Sequence, residues 1–522
     1  MQADSPRSNS SRWIYFLLPS ALDIFFITLL LGLSCGALGR LLLRDADIGW
    51  HIRNGQQILA THAVPRSDPF SSSMAGKPWF AWEWLYDAVI AAIHHVFGLN
   101  GVVFYTAAII AVTFVLALHV GLKRGGNLPV TLLLLIVSLG AAAVHFLARP
   151  HVVSWLFTVI WFDVLDSATE SRDNRLYWLP VLMIFWVNLH GGFVLGFALL
   201  FVYLAAGSLE YLLHMDQRQQ KGRWLKKVGA VFGVCFVASF VNPYGYQLHL
   251  HVYRYLSDRF LMDRISEFLS PDFHGAAQQC FAILLMIALT ALATARRRPT
   301  LALMGVILFA AYAGFYATRN LPTSSLLITL IVAPVLSRTL AEAGESPDMS
   351  SWVRSLFSWM HAFSTRVGNM EMKLEGHLWL VLVFVLGMWA CAHQGRVGQT
   401  QFINAYFDSK RFPVEAADVI AKRGIHEPIL CVDYWGGYLI YRLYPETKVV
   451  ADDRHDFYGD QFFKDFLRIM LVQPDWNETL DKLHVSLVLV PTESSLANIL
   501  RMMPGWEASY QDRTAVLFSR KL

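Results

Sequence analysis

The stretch Arg44-Asp45-Ala46-Asp47-Ile48-Gly49-Trp50-His51-Ile52-Arg53 follows directly on an apolar run covering about residues 14–43. A run of that length exceeds a signal-peptide core and carries no small-residue cleavage site, so it reads as a membrane helix retained in the chain. The exit of a helix from a bilayer needs only generic polar residues. Here two carboxylates, a histidine and two arginines crowd the exit, and we read them as the chemical centre; the plainer alternative is a solvated loop.

The composition agrees with a membrane setting. The chain has 522 residues, of which 55% are hydrophobic and 16% charged, with a mean hydropathy of +0.41. That is too apolar for a soluble protein and indicates a polytopic α-helical membrane protein. The net charge of +4 is small and its basic residues lie in short clusters between apolar runs, which excludes a nucleic-acid footprint. Cys35, Cys235, Cys280 and Cys391 fall in apolar runs and Cys431 in the polar tail, so neither disulfide nor zinc spacing is present.

Further apolar runs lie at about 100–122, 127–147, 152–167, 176–190, 193–213, 228–241, 278–295, 300–317, 321–337 and 377–394, which with the first makes eleven. The short runs at 152–167, 176–190 and 228–241 also fit broken or re-entrant helices. Alternate connections hold Lys123-Arg124, Arg172 and Arg175, the basic cluster 218–227 and Arg296-Arg297-Arg298, and the head holds Arg7 and Arg12. By the positive-inside bias the head is cytoplasmic and the C-terminus outside. The expected organisation is a transmembrane domain over 1–394, with a long first outer loop at 45–98, and an outer domain over 395–522.

The first loop has turn chemistry at Pro65-Arg66-Ser67-Asp68-Pro69 and Gly76-Lys77-Pro78 and an aromatic, amphipathic stretch at 79–97. Trp79, Trp82, Trp84 and Tyr86 are expected to anchor it at the membrane surface, with Glu83 and Asp87 on one helical face. The segment 352–360 reads as an interfacial helix on the other side. In the tail, helices are expected at 412–423, 436–443, 461–471, 477–483 and 495–503, and strands at 428–432, 448–451, 486–490 and 514–519, an α/β sandwich.

The candidate residues then converge on the outer side. Besides Asp45, Asp47, His51, Arg53 and Glu83, the outer helix ends carry Arg149, His151, Asn188, His190, Asn242, Glu267 and Arg319. Ionisable groups at helix ends are costly unless paired or lining a wet cavity, so the set reads as one polar pocket, although each alone also fits snorkelling or capping. Asp452-Asp453-Arg454-His455-Asp456 follows an apolar strand, and Asp453 and Arg454 are expected to face that pocket and help seat the acceptor.

Asp45-Ala46-Asp47-Ile48-Gly49-Trp50-His51-Ile52-Arg53-Asn54-Gly55, Pro65-Arg66-Ser67-Asp68-Pro69-Phe70-Ser71 and Trp82-Glu83-Trp84-Leu85 resemble the GT-C superfamily of lipid-linked-sugar glycosyltransferases, nearest to its bacterial dolichyl-phosphate-mannose-type and Rgt-like groups. The resemblance implies sugar transfer from a polyprenyl-phosphate donor to a glycan, lipid or protein acceptor, outside a bacterial inner membrane and among its lipids, with a first-loop acid as catalytic base. That base maps to Asp45 or Asp47. A polyprenyl phosphate leaves without needing a proton, so one base and a cation for the phosphate suffice. We expect Asp45 as base, Asp47 orienting the acceptor or holding a metal, and Arg149 or Arg319 clamping phosphate oxygens. Asp47 and His51 are too few ligands to assign a metal site, and a divalent cation such as Mg or Mn stays an option. The competing function class is a transporter or flippase, which would normally carry ionisable groups in mid-span and an internal helix repeat.

Overall fold

The computed structural model describes residues 17–170, 174–213, 218–371, 374 and 377–521; Arg7, Arg12 and Arg172 lie outside them. Among the described residues six helices are long and apolar enough to cross a membrane: Trp84–Lys123, Leu128–His145, His151–Thr169, Phe193–Leu213, Ala276–Thr294 and Thr318–Glu345. Ala21–Ser34, Leu301–Tyr316 and Leu378–Ala392 are shorter apolar helices. Two of the expected runs take other forms. The run at 176–190 yields only the helix Leu179–Leu189, and that at 228–241 lies in Arg218–Ala238, whose first half is basic.

Local chemistry sets the helix starts. Ser20 and Asp23 form a capping box at Ala21–Ser34, Asn127 accepts the Val130 N–H ahead of a proline-led first turn, and Thr300 caps Leu301–Tyr316. Gly98, at φ 59°, breaks the long helix Trp84–Lys123 into two parts. On the basic side of the bundle, Lys123 and Arg175 both reach Asp163 at 3.1 and 2.9 Å, and Arg124 pairs with Asp166. The helix Ser351–Glu371 returns its Glu371 carboxylate to the N–H groups of Ala21 and Leu22.

The first loop is a folded unit. Asp47–Thr61 is a helix whose Gly55 lies against the Asp87 carbonyl, so close that a side chain there would collide with it. A hairpin follows, with Ser67 bridged to Pro78. Trp79 and Tyr86 are buried, at 4% and 0% exposure, which corrects their expected surface anchoring: Trp79 packs on Phe457 and Arg454 of the tail, and Tyr86 on His51 within the loop.

In the tail, β1 (Arg396–Val397) and β2 (Thr400–Gln401) make a short hairpin. β3 (Ile429–Cys431), β4 (Leu487–Pro491), β5 (Trp506–Gln511) and β6 (Ala515–Arg520) form a mixed sheet in the order β3-β4-β6-β5. β3 runs parallel to β4, and β6 is antiparallel to both β4 and β5. The expected strand at 448–451 is only a bridging segment, in which Val449 pairs with Ile429 on one side and with Ser71 of the first loop on the other. The strand β5 lies outside the expected set: Trp506, Ala508 and Tyr510 alternate with Glu507, Ser509 and Gln511, but the stretch is short and only Trp506 in it is buried. Helices cover Val414–Arg423, Asp433–Leu443, His455–Met470, Trp476–Lys482 and Ser495–Met502.

One hydrophobic core runs through the membrane helices, the first loop and the near side of this sheet, and a second fills its far side. Gly49 and Gly437 make a close joint between loop and tail, since a Cβ on Gly49 would strike the Gly437 carbonyl oxygen and one on Gly437 the Ala46 carbonyl oxygen.

Candidate active site

A cavity of about 1350 Å³ opens where the first loop, the neighbouring helix ends and the tail meet. Its polar lining includes Asp45, Asp47, Glu83, Arg149, His151, His190, Glu267, Arg319, Asp453 and Arg454, and its apolar lining includes Leu195, Ala198, Phe309, Tyr312, Ala313 and Leu327.

Arg149 is the hub of the polar lining. Its guanidinium lies 3.2 Å from Asp45, 2.6 Å from Asp47 and 3.5 Å from Glu267. Arg319 reaches the other oxygen of Glu267 at 3.6 Å and stacks on Phe268. Burial alone would raise the Glu267 pKa, but the two arginines outweigh it and hold the group well below the usual carboxylate range. Burial likewise opposes the charge on Arg149, and Asp47, Asp45 and Glu267 more than restore it.

Asp45 accepts the Asp47 N–H at 3.0 Å, which fixes the first turn of the helix Asp47–Thr61. Asp45, Asp47 and Asp453 can each place one oxygen within 4.8 Å of the others. Burial, then the negative charge of Asp47, pushes Asp453 well above its ordinary pKa; burial raises Asp47 too, against the pull of Arg149. The Asp453 Oδ1 atom is buried without a hydrogen-bond partner. Three converging carboxylates with one unsatisfied oxygen are a donor set that suits a hard divalent cation.

A second polar cluster surrounds Glu83. His51 Nδ1 lies 2.5 Å from Asp87 Oδ1, and Asn54 donates to the other Asp87 oxygen at 2.6 Å. His51 Nε2 is 3.8 Å from Glu83 and His190 Nε2 is 3.6 Å from it. Burial depresses both imidazoles to about 3, so both are neutral. Burial, then the nearby Asp87 charge, raises Glu83 well above its ordinary value.

The other expected residues are placed as follows. His151 lines the cavity and bonds the His145 carbonyl at 2.9 Å. Arg454 has one edge on the cavity, but its guanidinium joins Asp68 at 2.9 Å to Asp452 at 2.7 Å over the faces of Phe70, Trp79 and Phe457. It is thereby a rivet between first loop and tail. Arg53 points away and donates to the Tyr441 carbonyl. Asn188 accepts from the Trp84 indole and donates to Ile184 and Val241 carbonyls. Asn242 folds its own loop, so that Tyr244 reaches Ala81 and Pro65 of the first loop.

Sequence reasoning marked Arg44 as part of the centre and passed over His145, Ser154, Arg411 and Asp433 on the cavity wall. Asp433 opens a helix and binds His455 at 3.0 Å, a pairing across 22 residues that has no local signature.

No protein-family model matches the chain, and no curated protein matches it. Solved structures do. The oligosaccharyltransferase AglB from Archaeoglobus fulgidus, in complex with an inhibitory peptide and a dolichol-phosphate, aligns with a TM-score of 0.56 and 11% identity, covering 93% of this chain and 70% of that one. The fold is similar to that of this oligosaccharyltransferase. The same enzyme tethered with an acceptor peptide aligns at 0.53 and 10% identity, over 99% of this chain and 74% of that chain, and its apo form at 0.52 and 9%, over 93% and 70%. At such identities the likeness is one of architecture, and the residues of the site must speak for themselves.

Proposed function

We propose that this protein transfers a sugar from a polyprenyl-phosphate-linked donor to an acceptor outside the cytoplasm, a glycan, lipid or protein, with inversion at the sugar carbon. The observation that carries the reading is the mixed lining of the cavity: arginines and carboxylates together with Leu195, Ala198, Phe309, Tyr312, Ala313 and Leu327. A free sugar would need no apolar lining and a plain lipid no charged one. The archaeal enzyme of the same fold is described with dolichol-phosphate, which supports a lipid-linked donor here.

The topology that fits is eleven crossings, cytoplasmic at the start and external at the end, in a bacterial inner membrane. It is supported by the gathering of Arg149, His190, Glu267 and Arg319 at one cavity while Lys123, Arg124 and Arg175 pair with acids elsewhere.

In the reaction the acceptor oxygen attacks the anomeric carbon, the bond from that carbon to the phosphate oxygen breaks, and the polyprenyl phosphate leaves with the electron pair. Arg319, which shares Glu267 with Arg149, binds phosphate oxygens, and Arg149 keeps Asp45 and Asp47 in place. Asp45, Asp47 and Asp453 are the residues that would hold a Mg or Mn ion, which when bound would offset phosphate charge. A carboxylate of the first loop takes the acceptor proton.

The test is donor-lipid binding. In native mass spectrometry, the purified protein should retain an added polyprenyl phosphate through detergent removal, and Arg319→Ala should weaken retention about tenfold or more. Equal retention of a polyprenol lacking phosphate would refute the reading.

A further inference from the structure

The sequence pointed to Asp45 as the base, and the geometry points elsewhere. Asp45 and Asp47 both face the Arg149 guanidinium, at 3.2 and 2.6 Å, so an acceptor hydroxyl would have to compete with an ion pair for their oxygens. Glu83 has no such partner: no arginine or lysine among the described residues pairs with it, and its side chain is 12% exposed on the cavity wall.

Its neighbours are two imidazoles whose tautomers the hydrogen bonds fix. His190 Nδ1 accepts the Gly192 N–H at 3.0 Å and the Ser154 hydroxyl at 2.7 Å. The Ser154 oxygen is itself the acceptor of the Trp186 indole N–H at 2.7 Å, which leaves the hydroxyl proton for His190. The His190 proton therefore sits on Nε2 and points at Glu83 Oε1. On the other side, Asp87 accepts from Asn54 and faces His51 Nδ1 at 2.5 Å. With Asp87 as acceptor, His51 carries its proton on Nδ1 and presents the Nε2 lone pair to Glu83 Oε2.

Glu83 thus lies between an N–H that faces one oxygen at 3.6 Å and a lone pair that faces the other at 3.8 Å, so a proton taken up by the second oxygen would meet an acceptor. We propose that Glu83 is the catalytic base of the transfer, held in place by His190 and by the Asp87–His51 pair, and that Asp45 and Asp47 serve the donor phosphate. This assignment rests on the sugar-transfer reading given above. The acceptor O–H bond breaks as its oxygen bonds the anomeric carbon. The proton goes to Glu83 Oε2, beside His51 Nε2, and the phosphate departs with its electrons.

The experiment uses the full chain in lipid nanodiscs, a panel of radiolabelled polyprenyl-phosphate hexoses and pentoses, and water as acceptor. Released sugar is followed in single turnover beside donor binding. We expect Glu83→Gln to bind donor like the wild type and to release sugar about 100-fold or more slowly, with Glu83→Asp recovering part of the rate. Asp45→Asn and Asp47→Asn should chiefly weaken donor binding. If Glu83→Gln stays within about tenfold of the wild type while an aspartate variant loses turnover with binding intact, the base is that aspartate and sugar transfer still stands. If Glu83→Gln and Glu83→Asp both lose donor binding, Glu83 is structural and the assignment is overturned. A wild-type protein that releases sugar from no member of the panel would overturn the transfer reading itself, and the base with it.

Discussion

Arg149 shows how one residue organises the polar lining. It meets Asp45, Asp47 and Glu267 at once, so its Arg149-Pro150-His151 setting is the anchor for groups that are distant in sequence. Glu267 is the sharpest probe of that network. Its folded pKa lies below the ordinary value of 4.5, so its contribution to stability is present above that value and is lost as pH falls through the folded one. Glu267→Gln should therefore melt earlier than the wild type at about pH 7, by the equivalent of on the order of 2 kcal/mol, and the gap should close as pH drops well below about 4.5. Thermal melts across pH measure this; a gap independent of pH would mean that the ion pairs do not stabilise the fold. At the same scale, sequence alone could not separate pocket residues from caps. Arg53 and Asn242 have the right chemistry and location, yet both spend it on backbone carbonyls, and only tertiary contacts tell the two uses apart.

The element that places the site is the helix Asp47–Thr61, gripped from two sides. Gly55 lets it approach Trp84–Lys123, which brings His51 and Asn54 onto Asp87, and Gly49 and Gly437 let it touch the tail helix Asp433–Leu443. Gly437→Ala should force these helices apart against backbone, costing about 1–3 kcal/mol and reducing donor binding as Asp47 shifts. Gly233→Ala, in open space on Arg218–Ala238, should change stability by less than about 1 kcal/mol. Equal melting shifts for the two would show that the close helix contact carries no special weight. The tail strands and helices were readable because their apolar periodicity is local. The Val449 bridge to Ser71 and the burial of Trp79 under Arg454 were not, since they depend on a partner segment hundreds of residues away.

Across the whole molecule, long apolar runs disclosed a polytopic helical protein, and the acids after the first run marked the place where its cavity opens. The runs at 176–190 and 228–241 translated least directly, because the first folds into a short helix and the second extends a basic one. Glu83, set in Trp82-Glu83-Trp84, stood out in the sequence; its two imidazole neighbours come from separate elements and became visible only in the fold. The central claim joins chemistry to sidedness: an external cavity that moves a sugar from a polyprenyl phosphate. It is tested most directly by supplying a doubly labelled polyprenyl-phosphate sugar to vesicles of the producing membrane. Right-side-out vesicles should transfer the sugar label to an external acceptor and leave the phosphate label on lipid, while sealed inverted vesicles given donor from their outer face should not. Label that crosses the bilayer with its sugar-phosphate bond intact would contradict the account and make the protein a transporter.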